Sequence, residues 1–135
     1  MTVAEPIITK KPSAILAKAA DIIEENGWHR RGYSDNHAVD RPDSRRPVCA
    51  LGAISLAEGN VTYAFAANSN RDDWEPAIAL WEHLGNRAVG EFDVDDLAED
   101  VINGVGRWND ADDQTAGNVV EALRACATDL AKAGR

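Results

Sequence analysis

The sequence predicts an all-α fold, a compact bundle of about five helices with two long irregular loops. Apolar residues recur at three- and four-residue spacing, which is the helical period, and glycine or proline marks the ends of most of these segments. The chain has 135 residues, of which 44% are hydrophobic and 27% charged, as expected for one globular domain. We therefore expect an N-terminal arm over residues 1–11 and a single helical domain over residues 12–135.

The first helix is predicted from residue 13 by one apolar stripe at positions i, i+3, i+4 and i+7. Gly27 is expected to end this helix in the left-handed conformation, with Trp28 folding back onto the helix as in a Schellman motif. Residues 29–47 contain glycine, prolines and many charges but no period, so they are predicted to form the first loop. The stripe consists of Leu16, Ala19, Ala20 and Ile23.

The second helix is predicted over residues 47–59, with Pro47 in its first turn and Gly59 at its end. Most of its residues are small, so we expect a neighbouring segment to approach it closely. Residues 60–68 fit either a short strand or a helix, and we favour a helix. The small residues of the second helix are Ala50, Gly52, Ala53 and Ala57.

Three further helices follow in the second half. The third has Asp72 or Asp73 as its cap, Pro76 in its first turn and Gly85 at its end. The fourth is predicted to begin at a cap on Asp93 and to stop at Gly104, which makes residues 104–113 the second loop. Thr115 is predicted to cap the fifth helix. The expected apolar positions are Trp74, Ile78 and Trp81, then Val94, Leu97 and Val101, then Val119, Leu123, Leu130 and either Cys126 or Ala127.

The net charge of −9 lies entirely in the second half, where residues 68–135 carry six basic and fifteen acidic residues. Such a field repels a phosphate backbone, which argues against nucleic acid as a partner. Without an apolar run of membrane length or a signal peptide, the expected location is the cytoplasm. The basic residues Arg30, Arg31, Arg41, Arg45 and Arg46 cluster in the first loop, where we expect them to pair with the acidic half; an anion or acidic partner is the alternative.

Cys49 is the strongest candidate for a catalytic residue. A thiol near a helix N-terminus, with Arg45 and Arg46 just before it, has a lowered pKa, and His37 or His83 would serve as its base. Asn109 or Asp110 would orient that histidine. The competing interpretation is that Cys49 is a small buried apolar residue, as expected for Cys126.

The segment around Trp108 is the second candidate site. Asp110, Asp112 and Gln114 match the first positions of a calcium loop, but Thr115 replaces the glycine that the sharp turn needs. No metal or cofactor is therefore predicted, and Asp112 and Asp113 are expected to favour the N-terminus of the next helix. Trp108, in a polar setting, suits a groove or an interface.

Four segments taken together resemble an uncharacterised family of small proteins from actinobacteria and their phages. They are residues 15–28, ending in Gly-Trp; residues 49–54, Cys-Ala-Leu-Gly-Ala-Ile; residues 108–110, Trp-Asn-Asp; and residues 115–123. The resemblance spans about residues 13–130. It implies no activity, but it directs attention to Cys49, Gly52, Trp108, Asn109 and Asp110.

These observations support three hypotheses about function. The leading one is a non-enzymatic regulatory or interaction module that docks a host protein, or a second copy of itself, through its acidic half and loops. The residues expected at the interface are Trp108, Asn109, Asp110, Asp112, Asp113, Arg45 and Arg46. The alternatives are a small hydrolase or transferase that uses Cys49 and an acidic inhibitor that mimics DNA. A homo-oligomer is compatible with each.

Overall fold

The computed structural model describes residues 11–62, 71–85 and 94–135, with side chains described from residue 74 in the second range and from residue 99 in the third. These ranges contain five α-helices: α1 (Pro12–Asn26), α2 (Ala50–Ala57), α3 (Arg71–His83), α4 (Val94–Asp110) and α5 (Ala116–Lys132). Two isolated β-bridges, Trp28–Val48 and Ser34–Val48, are the β-pairing that these ranges contain. The predicted all-α class is confirmed. Within the same residues, no helix is long and apolar enough to cross a membrane.

Helix α1 lies at the centre of the fold, packed most extensively against α5 and next against α2. All four residues of its predicted stripe are buried, and one continuous core contains residues of all five helices. The Ser13 hydroxyl donates to the carbonyl of Arg135 at 2.8 Å, which joins the start of α1 to the end of the chain. The pattern in this segment therefore predicts both the helix and its buried face.

The end of α1 differs from the predicted Schellman motif. Gly27 donates its N–H to the Ile23 carbonyl, but its φ of 106° and ψ of 164° lie outside the left-handed helical region. The chain consequently leaves the helix straight into the bridge between Trp28 and Val48. Glycine is still required, because its φ lies in the region that other residues rarely adopt.

Helix α2 is shorter than predicted, since Cys49 caps it and Pro47 lies outside it. Every residue of the helix except Leu56 is buried. Gly59 follows at φ 86° and ends the segment as expected. The predicted helix over 60–68 falls mostly on residues outside the described ranges, and residues 60–62 are not helical.

Helix α4 continues through Gly104, which was predicted to end it, and stops only at Asp110. The glycine serves packing instead of termination: a Cβ at this position would lie 2.8 Å from Cδ1 of Trp81, so the indole of α3 packs directly on the α4 backbone. Trp108, Asn109 and Asp110 therefore belong to the last helical turn and not to a loop. The second irregular segment shrinks to residues 111–115.

The remaining predictions for the second half are confirmed where the structure describes the residues, except at the start of α3. This helix begins at Arg71, so Asp72 and Asp73 lie in its first turn and do not cap it. Pro76 consequently lies inside the helix, beyond the first turn. Trp74, Ile78 and Trp81 are buried, and Gly85 follows α3 with a positive φ. Thr115 caps α5 by accepting the N–H of Asn118 on its hydroxyl at 3.1 Å. The predicted cap at Asp93, the side chains of Val94 and Leu97, and the arm up to residue 10 lie outside what the structure describes.

Candidate functional site

Asn109 is the centre of a buried polar network where the end of α4, the start of α2 and the segment after α1 meet. Its side chain is 1% exposed. Its Oδ1 accepts from Trp28 Nε1 at 2.9 Å and from the Ala50 N–H at 3.1 Å. Its Nδ2 donates to the His29 carbonyl at 3.1 Å and to Asp110 Oδ1 at 3.0 Å. All four hydrogen bonds that an amide group can form are therefore made.

This network joins the motifs that the sequence resemblance brought to attention. Trp28 ends the first motif, Ala50 belongs to the second, and Asn109 and Asp110 belong to the third. Their partners lie 59 and 81 positions apart along the chain. The motifs thus specify one tertiary junction between three segments, and we call it the Asn109 junction.

The first loop is held against the start of α2 by backbone hydrogen bonds on both sides of Val48. This arrangement keeps residues 28–35 in contact with residues 47–49 without forming a sheet. In each bond a backbone N–H donates to a backbone carbonyl: Val48 to Gly27 (3.1 Å), His29 to Val48 (3.0 Å), Asp35 to Pro47 (2.9 Å) and Cys49 to Tyr33 (3.2 Å).

Gly52 allows the loop to approach α2 this closely. A Cβ on residue 52 would lie closer than 3.0 Å to the carbonyl oxygen of Tyr33. Because this oxygen is a backbone atom, a change of side-chain rotamer cannot relieve the clash. The predicted close approach of a neighbouring segment to this small-residue helix is confirmed. The neighbour is the first loop.

Cys49 caps α2, with its Sγ accepting the Gly52 N–H at 3.4 Å. The residue is 8% exposed. Burial is the main cause that raises the pKa of its thiol to about 11; hydrogen bonds from backbone N–H groups of α2 lower this pKa, and the charge of Asp110 raises it. The desolvation cost therefore exceeds the effect of the helix N-terminus, and the thiol is protonated at neutral pH.

A small pocket of about 140 Å³ lies beside this thiol. Cys49 and Asp110 both line it, together with Tyr33 and Asn109. Neither His37 nor His83 does. His83 Nδ1 lies 3.8 Å from Asp129 Oδ2, and the backbone N–H of His37 donates to Asp35. The structure therefore brings the proposed thiol and carboxylate together but places both proposed bases elsewhere.

One carboxylate oxygen of Asp110 is used for structure. Its Oδ1 accepts the Arg31 N–H at 2.9 Å in addition to the Asn109 amide. Trp108 packs against the core while half-buried, and its carbonyl accepts from Gln114 Nε2 at 3.0 Å. Asp112 and Asp113 are exposed in the turn that follows. No group of three or more potential metal ligands occurs in the described ranges.

The loop arginines contact backbone carbonyls more than carboxylates. Arg30 stacks on the Trp28 ring at 5.1 Å and donates through Nη2 to the carbonyls of Ala111 and Gln114. Arg46 donates through Nε to carbonyls within its own loop, and Arg45 is exposed. Among the described residues, no salt bridge joins these arginines to the acidic half. The expected charge pairing is therefore replaced by bonds to carbonyl groups.

A larger open groove of about 810 Å³ lies between the end of α1 and residues 116–128 of α5, and we call it the α1–α5 groove. Its floor contains the buried side chains of Ile23 and Val120. Glu24 and Glu121 line it as exposed acids, and Arg124 donates through Nη2 to Asp21 and Glu24. The other lining residues are Gly27, Trp28, Ala116, Gly117, Ala125 and Thr128.

Sequence reasoning named Arg30 and Arg31 only as part of the basic loop, with an anion as an alternative partner, and it did not identify Tyr33 or the groove. No periodic pattern marks the loop residues. The only available signal was the proximity of Trp28 to two consecutive arginines, which suits cation–π stacking. The groove arises from small residues on α5, and a small residue on a helix surface is not a signal by itself.

The comparisons with known proteins place the chain in an uncharacterised family, as the resemblance implied. No curated protein and no solved structure matches the chain. A family model matches residues 8–129, nearly the whole chain, and includes four complete helices, most of α5 and the Asn109 junction. The chain belongs to the Family of unknown function (DUF6197).

Proposed function

We propose that the protein is a non-enzymatic interaction module that binds a basic amphipathic helix of a partner protein in the α1–α5 groove. The observation that carries this proposal is an open groove of about 810 Å³ whose floor is apolar and whose sides carry acidic residues. Grooves of this kind bind one face of a helix through apolar contacts at i, i+3, i+4 and i+7.

The shape of the groove follows from the residues of α5. Three exposed residues of α5 carry at most one side-chain carbon, so no large side chain of these residues fills the space between α5 and α1. They are Ala116, Gly117 and Ala125. Ile23 and Val120 are 2% and 8% exposed and form an apolar base beneath. A partner side chain can therefore enter between the two helices and lose its contact with water, which is the main source of affinity in such interfaces.

The charges around the groove determine the kind of partner. Glu24 and Glu121 are exposed, and the guanidinium of Arg124 is neutralised by Asp21 and Glu24. Across the whole chain the net charge is −9. The groove thus attracts a segment with lysine or arginine beside its apolar face, and complementary charge of this kind increases the association rate and the specificity.

The state of Cys49 favours a binding role over a thiol enzyme. A cysteine nucleophile reacts as a thiolate beside a base. At Cys49 burial raises the pKa to about 11, and no histidine lines its pocket in the described part of the chain. The sulfur instead caps α2, which is a structural task.

A display selection with helical peptides tests the proposal. The probe is a library of peptides about 20 residues long with an apolar helical stripe and variable flanking charges, a length sufficient for a helix on binding. We expect the selected peptides to carry lysine or arginine beside the stripe. Ala125→Arg should weaken their binding by about tenfold or more by filling the groove.

Two matched variants make the result specific. Ala131→Arg adds the same side chain to an exposed position of α5 outside the groove and should leave binding unchanged. Glu121→Lys should weaken binding of the basic peptides more than Glu99→Lys, because Glu121 lines the groove whereas Glu99 is exposed on α4 outside its lining. Equal effects of the arginine variants, failure to select any peptide, or a change of oligomeric state with Ala125→Arg would each refute the proposal; the last would make the groove a self-interface.

A further inference from the structure

We propose that the first loop forms a binding site for a small phosphorylated organic anion, with a lining that shares no residue with the α1–α5 groove. The site is a bowl of about 530 Å³. Six of its lining residues carry the argument, namely His29, Arg30, Arg31, Tyr33, Asn36 and His37.

The bowl is basic in a protein that is otherwise acidic. Two arginines and two histidines line it, and none of the lining residues that the structure describes is an aspartate or glutamate. Three carboxylates outside this lining, those of Asp35, Asp43 and Asp110, accept hydrogen bonds from residues of the lining. Asp35 accepts the His37 N–H at 2.9 Å, and Asp43 accepts the Thr62 hydroxyl at 2.9 Å. The positive charge of the bowl is therefore not neutralised by its own lining.

Arg31 supplies the most available cation. Its side chain is exposed and has no partner among the described residues, and its φ of 64° is in the left-handed region that arginine rarely adopts. The Asp110 carboxylate holds this backbone by accepting the Arg31 N–H at 2.9 Å. The Asn109 junction thus fixes a strained residue beside the bowl, and such strain is concentrated at binding sites.

Arg30 provides a fixed cation at the wall of the bowl. Its guanidinium is stacked on Trp28 and bonded through Nη2 to two carbonyls, so its position is set before any ligand arrives. Its Nε is buried and has no hydrogen-bond partner in the part of the chain that is described. Carbonyl partners carry no net negative charge, so the charge of Arg30 remains available to attract an anion.

The donors and the size of the bowl indicate the class of ligand. Arginine with imidazole, amide and hydroxyl groups offers several donors, which suits the three terminal oxygens of a phosphate group better than the two of a carboxylate. A volume of about 530 Å³ exceeds what inorganic phosphate alone fills and is within the range of small-molecule sites. Half-buried Tyr33 provides an aromatic wall for the organic part, such as a nucleoside.

Titration calorimetry with four probes at constant ionic strength tests this inference. The probes are inorganic phosphate, inorganic pyrophosphate, ATP and citrate. We expect ATP to bind more tightly than either inorganic anion, and citrate to bind most weakly. Failure of all three phosphates to bind at millimolar concentration, or citrate binding as tightly as ATP, would overturn the inference. Inorganic pyrophosphate binding as tightly as ATP would overturn the claim of an organic ligand.

Variants then locate the site. Arg31→Gln keeps the backbone N–H to Asp110 and should weaken ATP binding by about tenfold, the usual effect of losing a charge-assisted bond. Arg45→Gln removes the same charge from an exposed position of the same loop outside the bowl and should leave affinity unchanged. His37→Gln, at an exposed side chain, gives a second test that does not endanger the fold. Equal losses for Arg31→Gln and Arg45→Gln would mean diffuse attraction and no site. Because the peptide-binding groove lies elsewhere, either proposal can fail while the other stands.

Discussion

Replacing Asn109 by alanine should remove a large part of the stability of this protein. The side chain is 1% exposed and makes four hydrogen bonds, to Trp28, Ala50, His29 and Asp110. Alanine would remove the partner of the Trp28 indole N–H, the Ala50 N–H and the His29 carbonyl, while Asp110 Oδ1 would keep its bond from the Arg31 N–H. Ala50 is completely buried, so its N–H would bear the full desolvation cost of about 1 to 3 kcal/mol.

The other three groups are only partly buried, and water can replace some of what they lose. A net bond of this kind contributes about 1 kcal/mol. We therefore expect the Asn109→Ala variant to lose about 4 kcal/mol of unfolding free energy. Since domains of this size have a total of about 5 to 15 kcal/mol, the variant should be near the limit of folding.

Urea denaturation followed by circular dichroism measures this loss as a shift of the midpoint at constant slope. Asn103→Ala is the matched control, since Asn103 is exposed on the same helix and the change in helix propensity is the same. We expect the control to remain within about 0.5 kcal/mol of the original protein. If the two variants unfold at the same urea concentration, the Asn109 junction does not hold the three segments together.

Two further predictions concern α2 and its neighbours. Gly52→Ala should lower the free energy of unfolding by about 3 kcal/mol, because the added Cβ meets the Tyr33 carbonyl oxygen. Gly106→Ala on α4 meets nothing within 4 Å and should raise that free energy by about 0.5 to 1 kcal/mol through helix propensity. Thermal unfolding compares the two variants, and a Gly52→Ala variant as stable as the original protein would contradict the packing described. Burial raises the pKa of the Cys49 thiol from 9.0 to about 11, so the folded protein holds this proton more tightly than the unfolded chain. Its contribution to stability should be complete below pH 9 and fall as the pH rises toward 11, and mass spectrometry should detect slow alkylation of Cys49 at pH 8 that becomes fast in urea. Rapid alkylation of the folded protein at neutral pH would reopen the thiol-enzyme hypothesis.

Much of the helical framework could be predicted from short-range pattern. The stripe of α1, the apolar residues of α3 and the Thr115 cap of α5 each depend on residues within one or two turns of one another. A helix repeats every 3.6 residues, so its buried face is visible as a period in the chain. The same applies to Gly59 and Gly85, whose positive φ values end local segments.

Gly104 shows where local pattern misleads. A glycine after an apolar stripe is typical of a helix end, yet here it lies inside α4 because Trp81 packs against it. A glycine that ends a helix and a glycine that accommodates a neighbouring side chain look the same in the sequence. Only the position of α3 beside α4 distinguishes a stop from a packing site.

The candidate site depends almost entirely on contacts between distant residues. Asn109 bonds to groups 59 and 81 positions away, and Arg30 bonds to carbonyls 81 and 84 positions away. No period or spacing encodes such pairs, since they arise only when the helices have packed and buried polar groups must find partners. Local pattern thus determined the helices and the apolar residues of the core, while packing alone determined that Cys49 is buried and where the junction, the groove and the basic bowl are formed.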